Sequence, residues 1–300
     1  MISDADGDQP GHGQPVVLEP GLVRIIAPNP SPMTHWGTNS YILGTQVLCI
    51  IDPGPDDPAH LAALLAHIGD RVVSHIVVTH SHLDHSALSG PLSRVTGARV
   101  LGYGDNLAGR SAVMQTLALP PGGEGVDLEF IPDETLPDGA QITGPAWRLS
   151  VIHTPGHMGN HICLHWGNAV FSGDHVMGWA SSMVSPPGGD LTDFMASCQR
   201  LATLGPARLY PGHGAPVPDP AARISWLLAH RKAREAQILA ALTKRPQTIP
   251  ALTALIYADT PVALHPAAAR NVFAHLIDLA GRSLVQASPA LHPDALFRLT

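Results

Sequence analysis

The sequence predicts an α/β domain followed by a small helical module. Between residues 16 and 218, short apolar runs alternate with breaks rich in Pro and Gly, the texture of strands joined by turns. After Pro218 the runs lengthen and their apolar residues fall on one helical face. With 300 residues, 45% of them hydrophobic and 14% charged, the chain can bury its own core without disulfides or metals.

Residues 1–15 are rich in Gly, Asp and Pro, show no apolar periodicity and are expected to form a flexible tail. The runs 16–18, 22–27, Asn39–Leu43 and Val47–Ile51 fit consecutive strands. Residues 57–68 then place Leu61, Leu64, Leu65 and Ile68 on one helical face. Asp57 and Pro58 suit the cap and first position of that helix, and Gly69 suits its end. The β-branched run 75–79 fits a buried strand. Further strands are expected at Arg99–Gly102, 128–131, 141–143, Trp147–His153, Ile162–Trp166, 169–172 and 208–210. Segments 104–127 and 178–191 read as long loops, which in a compact domain tend to carry function. Residues 221–244 form the first helix of the second module, with Ile224, Leu227, Leu228, Ile238, Leu239 and Leu242 on a broad apolar face. Helices at 249–257 and 267–279 and a short run at 283–286 complete a winged-helix outline. The domains are therefore placed at 16–218 and 219–300, with the boundary near 218–222.

Net charge is −7, unevenly distributed. Residues 1–218 carry 8 Arg and Lys against 19 Asp and Glu, a balance of −11, while residues 219–300 carry 9 against 5, a balance of +4. A basic balance of this kind fits either a nucleic-acid surface or an ordinary solvated face. Cys49, Cys163 and Cys198 are isolated, with no CxxC, and are expected to be reduced, buried thiols. Neither an export signal nor an apolar run of about 20 residues is seen, so a cytoplasmic, non-membrane protein is expected.

The chemistry lies in the histidines, of which there are 18. His80, His82, Asp84 and His85 fall within six residues at the end of the run 75–79. Residues at i and i+2 of an extended segment point to the same side, so His80 and His82 can grip one cation. Asp84 and His85 sit where the chain turns toward a helix and can diverge to a second. His157, Asp174 and His213 each follow a glycine at the end of a strand-like run. Imidazole and carboxylate donors together suit zinc, with iron or manganese as alternatives.

This set of seven residues resembles the ligand pattern of the metallo-β-lactamase superfamily, over residues of about 20–218. The resemblance implies an αββα sandwich with two metals at one edge of its two sheets. His80, His82 and His157 would hold one metal, Asp84, His85 and His213 the other, and Asp174 would bridge them. It further implies a di-zinc hydrolase in which a metal-bridging hydroxide attacks the substrate, so that no Ser, Cys or Lys nucleophile is needed. Asp84 is then the catalytic residue, guiding the water as well as binding metal. Asp52 also matches a family feature and would orient the ligand loops. His161 would either face the substrate or support a ligand, His175 would support rather than ligate, and His153 would be buried and satisfied. Residues 210–217, with 230–239 beyond them, resemble the β-lactamase-like protein 2 subgroup. Its members join this domain to a C-terminal winged-helix-like domain, and segments 253–257 and 271–279 fit that second domain.

The leading expectation is a metallohydrolase acting on an ester-like or phosphodiester bond. Some members of the subgroup cleave single-stranded RNA, and the basic balance of 219–300 favours such a substrate. The acidic first domain and an aromatic content of 5% argue against it, because unpaired bases need stacking platforms and basic grooves. Small-molecule ester or thioester hydrolysis, as in glyoxalase II, shares the ligand set, although no glutathione-binding basic trio is evident. An iron-dependent persulfide-oxidising enzyme is a further alternative. A flavin-linked oxygen reductase is disfavoured, because Glu would be expected in place of His82. True β-lactamase activity is disfavoured by the missing export signal, and a dead nucleic-acid-binding domain by the full ligand set.

Overall fold

The structure, a computed structural model, describes residues 11–117, 119–120 and 125–300. Of the expected flexible tail, 1–10 lie outside the described residues. Within 11–15, the Gly13 N–H donates to Ile26 O at 2.9 Å.

The chain opens with an antiparallel meander: β1 (Val16–Glu19), β2 (Leu22–Ile26), β3 (Asn39–Leu43) and β4 (Val47–Ile51). Helix α1 (Pro58–Ile68) crosses over to β5 (Val72–Val77). The Asp57 carboxylate caps α1 by accepting from His60 N–H at 2.7 Å, and Gly69 ends it. The short α2 (Leu83–Ser86) and α3 (Ser89–Thr96) follow, then β6 (Arg99–Gly102), α4 (Ala112–Thr116) and β7 (Glu134–Thr135). Among the described residues, β1 to β7 lie in sequence order in one sheet, parallel from β4 onward. The second sheet holds β8 (Gln141–Gly144), β9 (Trp147–His153), β10 (Ile162–Trp166), β11 (Ala169–Gly173) and, after α5 (Leu191–Leu204), β12 (Arg208–Pro211). Its order is β12-β11-β10-β9-β8, with β12 parallel to β11.

Both sheets are covered on both faces, and the period-2 alternation assigns each side chain to a layer. Tyr41, Leu43, Cys49 and Ile51 meet Leu149, Val151, Ile162, Leu164 and Phe171 between the sheets. The alternate residues Ile42, Leu48 and Ile50 turn outward to Leu64 and Ile68 of α1 and Leu92 of α3. On the other side Ile152, Cys163 and Val170 turn outward to Phe194, Cys198 and Leu201 of α5. The result is an αββα sandwich, as expected.

Beyond it run α6 (Pro220–Leu242), α7 (Ile249–Ile256), α8 (His265–Gly281) and the hairpin β13 (Val285–Ser288) with β14 (Leu296–Leu299). Helix α6 serves two cores. Ile224 and Leu227 pack on the second sheet, while Ile238 and Leu242 enter a separate core with Leu252, Leu276 and Phe297. Met114, from the long loop carrying α4, also enters that C-terminal core.

Three local expectations change. Residues 128–131 form no strand: Leu128 and Ile131 are exposed, and β6 pairs instead with Glu134–Thr135. The strand expected at 75–79 spans Val72–Val77, because Thr79 N–H leaves the ladder to donate to Asp52 Oδ1 at 2.7 Å. Helix α5 is not among the expected elements. Its apolar spacing at 191, 194, 198 and 201 is helical, but Thr, Asp, Ser, Gln and Arg interrupt it and a Pro- and Gly-rich loop precedes it.

Candidate metal centre

The seven residues singled out in the sequence converge at the edge where β5, β9, β11 and β12 end. His80 and His82 follow β5, and His82 stands at the start of α2, which carries Asp84 and His85. His157 follows β9, Asp174 follows β11 and His213 follows β12. Their donor atoms group as His80, His82 and His157; as Asp84, His85 and His213; and as His80, His85 and Asp174, each set lying within 4.8 Å.

Distances inside the cluster are those of converging lone pairs. His82 Nδ1 lies 2.9 Å from His80 Nε2 and 3.1 Å from His157 Nε2. His213 Nε2 is 3.2 Å from Asp84 Oδ2 and 3.3 Å from Asp174 Oδ2. Asp174 turns its other oxygen, Oδ1, to His85 Nε2 at 3.5 Å, and Oδ2 also lies 3.8 Å from His157 Nε2. One carboxylate thus faces both triads, the placement a bridging ligand requires.

Three of the rings are oriented from behind. His85 Nδ1 donates to Asp52 Oδ2 at 2.9 Å, His213 Nδ1 to Gly37 O at 3.1 Å and His157 Nδ1 to Met183 O at 2.7 Å. A carbonyl or carboxylate oxygen accepts, so Nδ1 carries the proton and Nε2 is turned inward. Asp52 also accepts from Thr79 Oγ1 at 2.8 Å, which ties β4, β5 and α2 together beneath the site. The loop carbonyls of Gly37 and Met183 escaped sequence reading because a backbone acceptor has no residue signature.

Without a cation the two triads differ electrostatically. Burial lowers His80, His82 and His157, with neighbouring imidazoles adding to it for His80 and His82, and His82 falls to about 3. Burial opposes charge on His213 as well, but Asp174 and Asp84 outweigh it and lift the ring to about 9. His85 is raised by the same carboxylates together with Asp52. Burial would raise both carboxyls, but the imidazoles beside them hold Asp84 and Asp174 below the usual carboxylate range. The neutral imidazoles of the first triad and the ionised carboxylates are ready donors, and a divalent cation would have to displace the protons held on His85 and His213.

The remaining histidines stand behind the cluster. His161 is fully buried, with Nδ1 2.9 Å from Thr154 Oγ1 and its ring 5.1 Å from that of His80. His175 is also fully buried and packs on Phe194. His153 is half-buried, stacked on Tyr103, with Nε2 2.8 Å from Gly159 O.

A four-layer sandwich with this cluster at its edge defines a class, and the comparisons place the chain within it. Residues 33–213 match the metallo-beta-lactamase superfamily model, and the chain belongs to that superfamily. Residues 248–290 match the beta-lactamase associated winged helix domain. The chain is 31% identical over 277 residues to a beta-lactamase-like protein 2 homolog of Drosophila melanogaster, covering 87% of this chain and 88% of that one. It is 30% identical over 234 residues to an atrochrysone carboxyl ACP thioesterase of Aspergillus fumigatus, covering 75% and 66%. In structure it is similar to a metallo-beta-lactamase family protein of Thermus thermophilus, with a TM-score of 0.76, 26% identity and coverage of 95% and 100%. The chain is a hydrolase of this superfamily, and among its described residues no helix is long and apolar enough to cross a membrane.

Proposed function

We propose that the chain is a di-zinc hydrolase of small-molecule thioesters or esters that carry an apolar acyl group. The observation that carries the metal chemistry is Asp174, whose Oδ2 lies between His157 of one triad and His213 of the other while its Oδ1 faces His85. His80, His82 and His157 would hold one ion, and Asp84, His85 and His213 the other. Bound there, the pair would polarise the scissile carbonyl and acidify a water. Zinc suits the donors best, and iron or manganese would also fit them. Asp84 is the catalytic residue of this reading. Its side chain is 27% exposed, and its Oδ2 accepts from Thr38 Oγ1 at 3.2 Å, so it can orient a water and hold its proton. Three unpaired, buried cysteines support a cytoplasmic setting.

The substrate class rests on an apolar cavity of about 370 Å³ between the two domains, walled by Pro186, Pro187, Ile249, Ala269 and Phe273. A second, much smaller pocket of about 10 Å³ is lined by His82 and His157, and Ser185 lines both it and the apolar cavity. An apolar acyl group lodged there would direct its carbonyl toward the ligands. The relative named as an acyl-carrier thioesterase supports the same bond type. Single-stranded RNA is a second reading, favoured by Trp226, which is partly exposed on α6, stacks on His230 at 5.0 Å and lies 4.4 Å from the Arg223 guanidinium.

The test is a hydrolysis panel with zinc-loaded protein: thioesters from acetyl to decanoyl, a phosphodiester reporter, single-stranded RNA and nitrocefin. Thioester turnover is expected, rising with acyl length, and falling more than about 100-fold in His82→Ala and Asp174→Ala. Full turnover in either variant would end the metal mechanism, and turnover of RNA alone would end the acyl reading.

A further inference from the structure

The C-terminal module reaches the 181–184 loop behind His157 through one buried arginine. Arg231 of α6 is only 2% exposed; both its Nη groups donate to amide and carbonyl oxygens, while its Nε has no partner. Nη2 donates to Ser181 O at 2.9 Å and to Ser182 O at 2.6 Å, and Nη1 donates to Asn271 Oδ1 at 2.8 Å. Asn271 of α8 uses the same Oδ1 to accept from Val184 N–H at 3.1 Å. Between these anchors lies Met183, whose carbonyl takes the His157 Nδ1 proton at 2.7 Å. Each of the four residues 181–184 thus has a backbone group engaged, three by the C-terminal module and one by the candidate ligand. Ser182 adopts φ 58°, a left-handed conformation that costs a non-glycine residue about 1 kcal/mol or more, so this stretch needs outside support.

We infer that Arg231 and Asn271 are positioning residues for the metal centre, holding the 181–184 loop so that Met183 O sets the tautomer and orientation of His157. The inference rests on His157 being a metal ligand, as proposed above. Locally, Ser182 Oγ donates to His175 O at 3.1 Å. The backbone partners that α6 and α8 supply to 181, 182 and 184 lie at least 49 positions away, on the two helices that pack against the sandwich. A burial this complete would be costly for a guanidinium left unpaired, and carbonyl oxygens offset that cost only in the observed loop geometry. The winged-helix module would therefore act as part of the catalytic domain's scaffold. This role requires no nucleic acid.

The experiment compares wild type with Arg231→Lys, Arg231→Met, Asn271→Ala, His157→Ala and, as a surface control, Arg282→Ala. Zinc content and chelator competition give stoichiometry and affinity, and cobalt substitution reports ligand geometry in the visible spectrum. Circular dichroism of the metal-free proteins checks the fold. Expected is a 10- to 100-fold weaker affinity for one of two equivalents in Asn271→Ala and Arg231→Met, on the order of other losses of ligand support. The cobalt spectrum should shift toward that of His157→Ala, and Arg231→Lys should restore part of the loss. Should Arg231→Met fail to fold, Asn271→Ala and Arg231→Lys still decide the matter. Folded variants that keep wild-type stoichiometry, affinity and cobalt spectrum would overturn the positioning role alone. A wild-type protein that took up no metal would overturn the reading of the centre and this inference with it.

Discussion

A buried histidine has to be either satisfied or neutral, and His275 is neutral without being satisfied. It is 1% exposed in α8, and neither ring nitrogen has a partner. Burial, with Arg231 adding to it, pushes its pKa down to about 3. The unfolded chain, near the ordinary value of 6.5, binds the proton more readily than the folded one. The folded state therefore loses stability as pH falls below about 6.5, down toward the folded value. Replacing His275 with Leu removes an unsatisfied polar ring and should stabilise the metal-free protein by about 1–3 kcal/mol at pH 7.5. It should also reduce the loss of stability between pH 7.5 and pH 5 by about 2 kcal/mol relative to wild type. Urea unfolding at the two pH values measures both, and an unchanged pH dependence would refute the assignment. His60, buried beside Ser40 and lowered to about 4 by burial, should add to the acid sensitivity that remains.

The junctions after the strands are what bring the ligands together, and glycine makes two of them possible. At Gly156 φ is 141° and an added Cβ would collide with the backbone of Phe194 in α5, so the turn into His157 packs directly on that helix. At Gly212 an added Cβ would strike Asp174 Oδ1 and lie 2.6 Å from His85 Cε1. The β12 turn therefore passes against Asp174 and His85 themselves. Gly212→Ala should leave the sandwich folded but displace Asp174 or His85, lowering zinc affinity by about 10-fold or more. Isothermal titration with zinc decides this, and wild-type affinity in a folded Gly212→Ala protein would refute it. Helix α1 shows the opposite kind of element, complete in its own segment, with its cap, its stop and its apolar face at 61, 64, 65 and 68 all local.

At the scale of the molecule, α6 joins two hydrophobic cores, and Met114 crosses from the first domain into the second. Thr192 Oγ1 donating to Asp278 at 2.7 Å adds a polar tie. The two domains should accordingly unfold together. All five tryptophans lie at or before residue 226, whereas much of the helix lies after it, so fluorescence and far-UV circular dichroism sample different ends of the chain. Coincident urea transitions are expected, and two separated midpoints would show the domains to be independent. Zinc at about 1,000 times its dissociation constant should raise the stability of the whole unit by about 4 kcal/mol per site.

The sequence by itself picked out the seven residues that cluster, the glycines before His157, Asp174 and His213, and most strands and helices, though not α5. These are written in spacings of a few residues, and a strand's alternation or a helix's face acts over that same range. It also carried the αββα architecture through resemblance, because the ligand motifs sit at strand ends that only such a sheet pair brings to one edge. Tertiary structure alone decided the rest. That Glu134–Thr135 and not 128–131 would pair with β6 did not follow from burial, since Glu134 and Thr135 are exposed while Phe130 is buried. Which oxygens take the ring protons of His157 and His213 depended on carbonyls of Met183 and Gly37, groups that every residue possesses. The bond from Arg231 to Ser182 O spans 49 positions and exists only once α6 and α8 are packed on the sandwich, since a contact between distant segments has no period in the sequence to announce it.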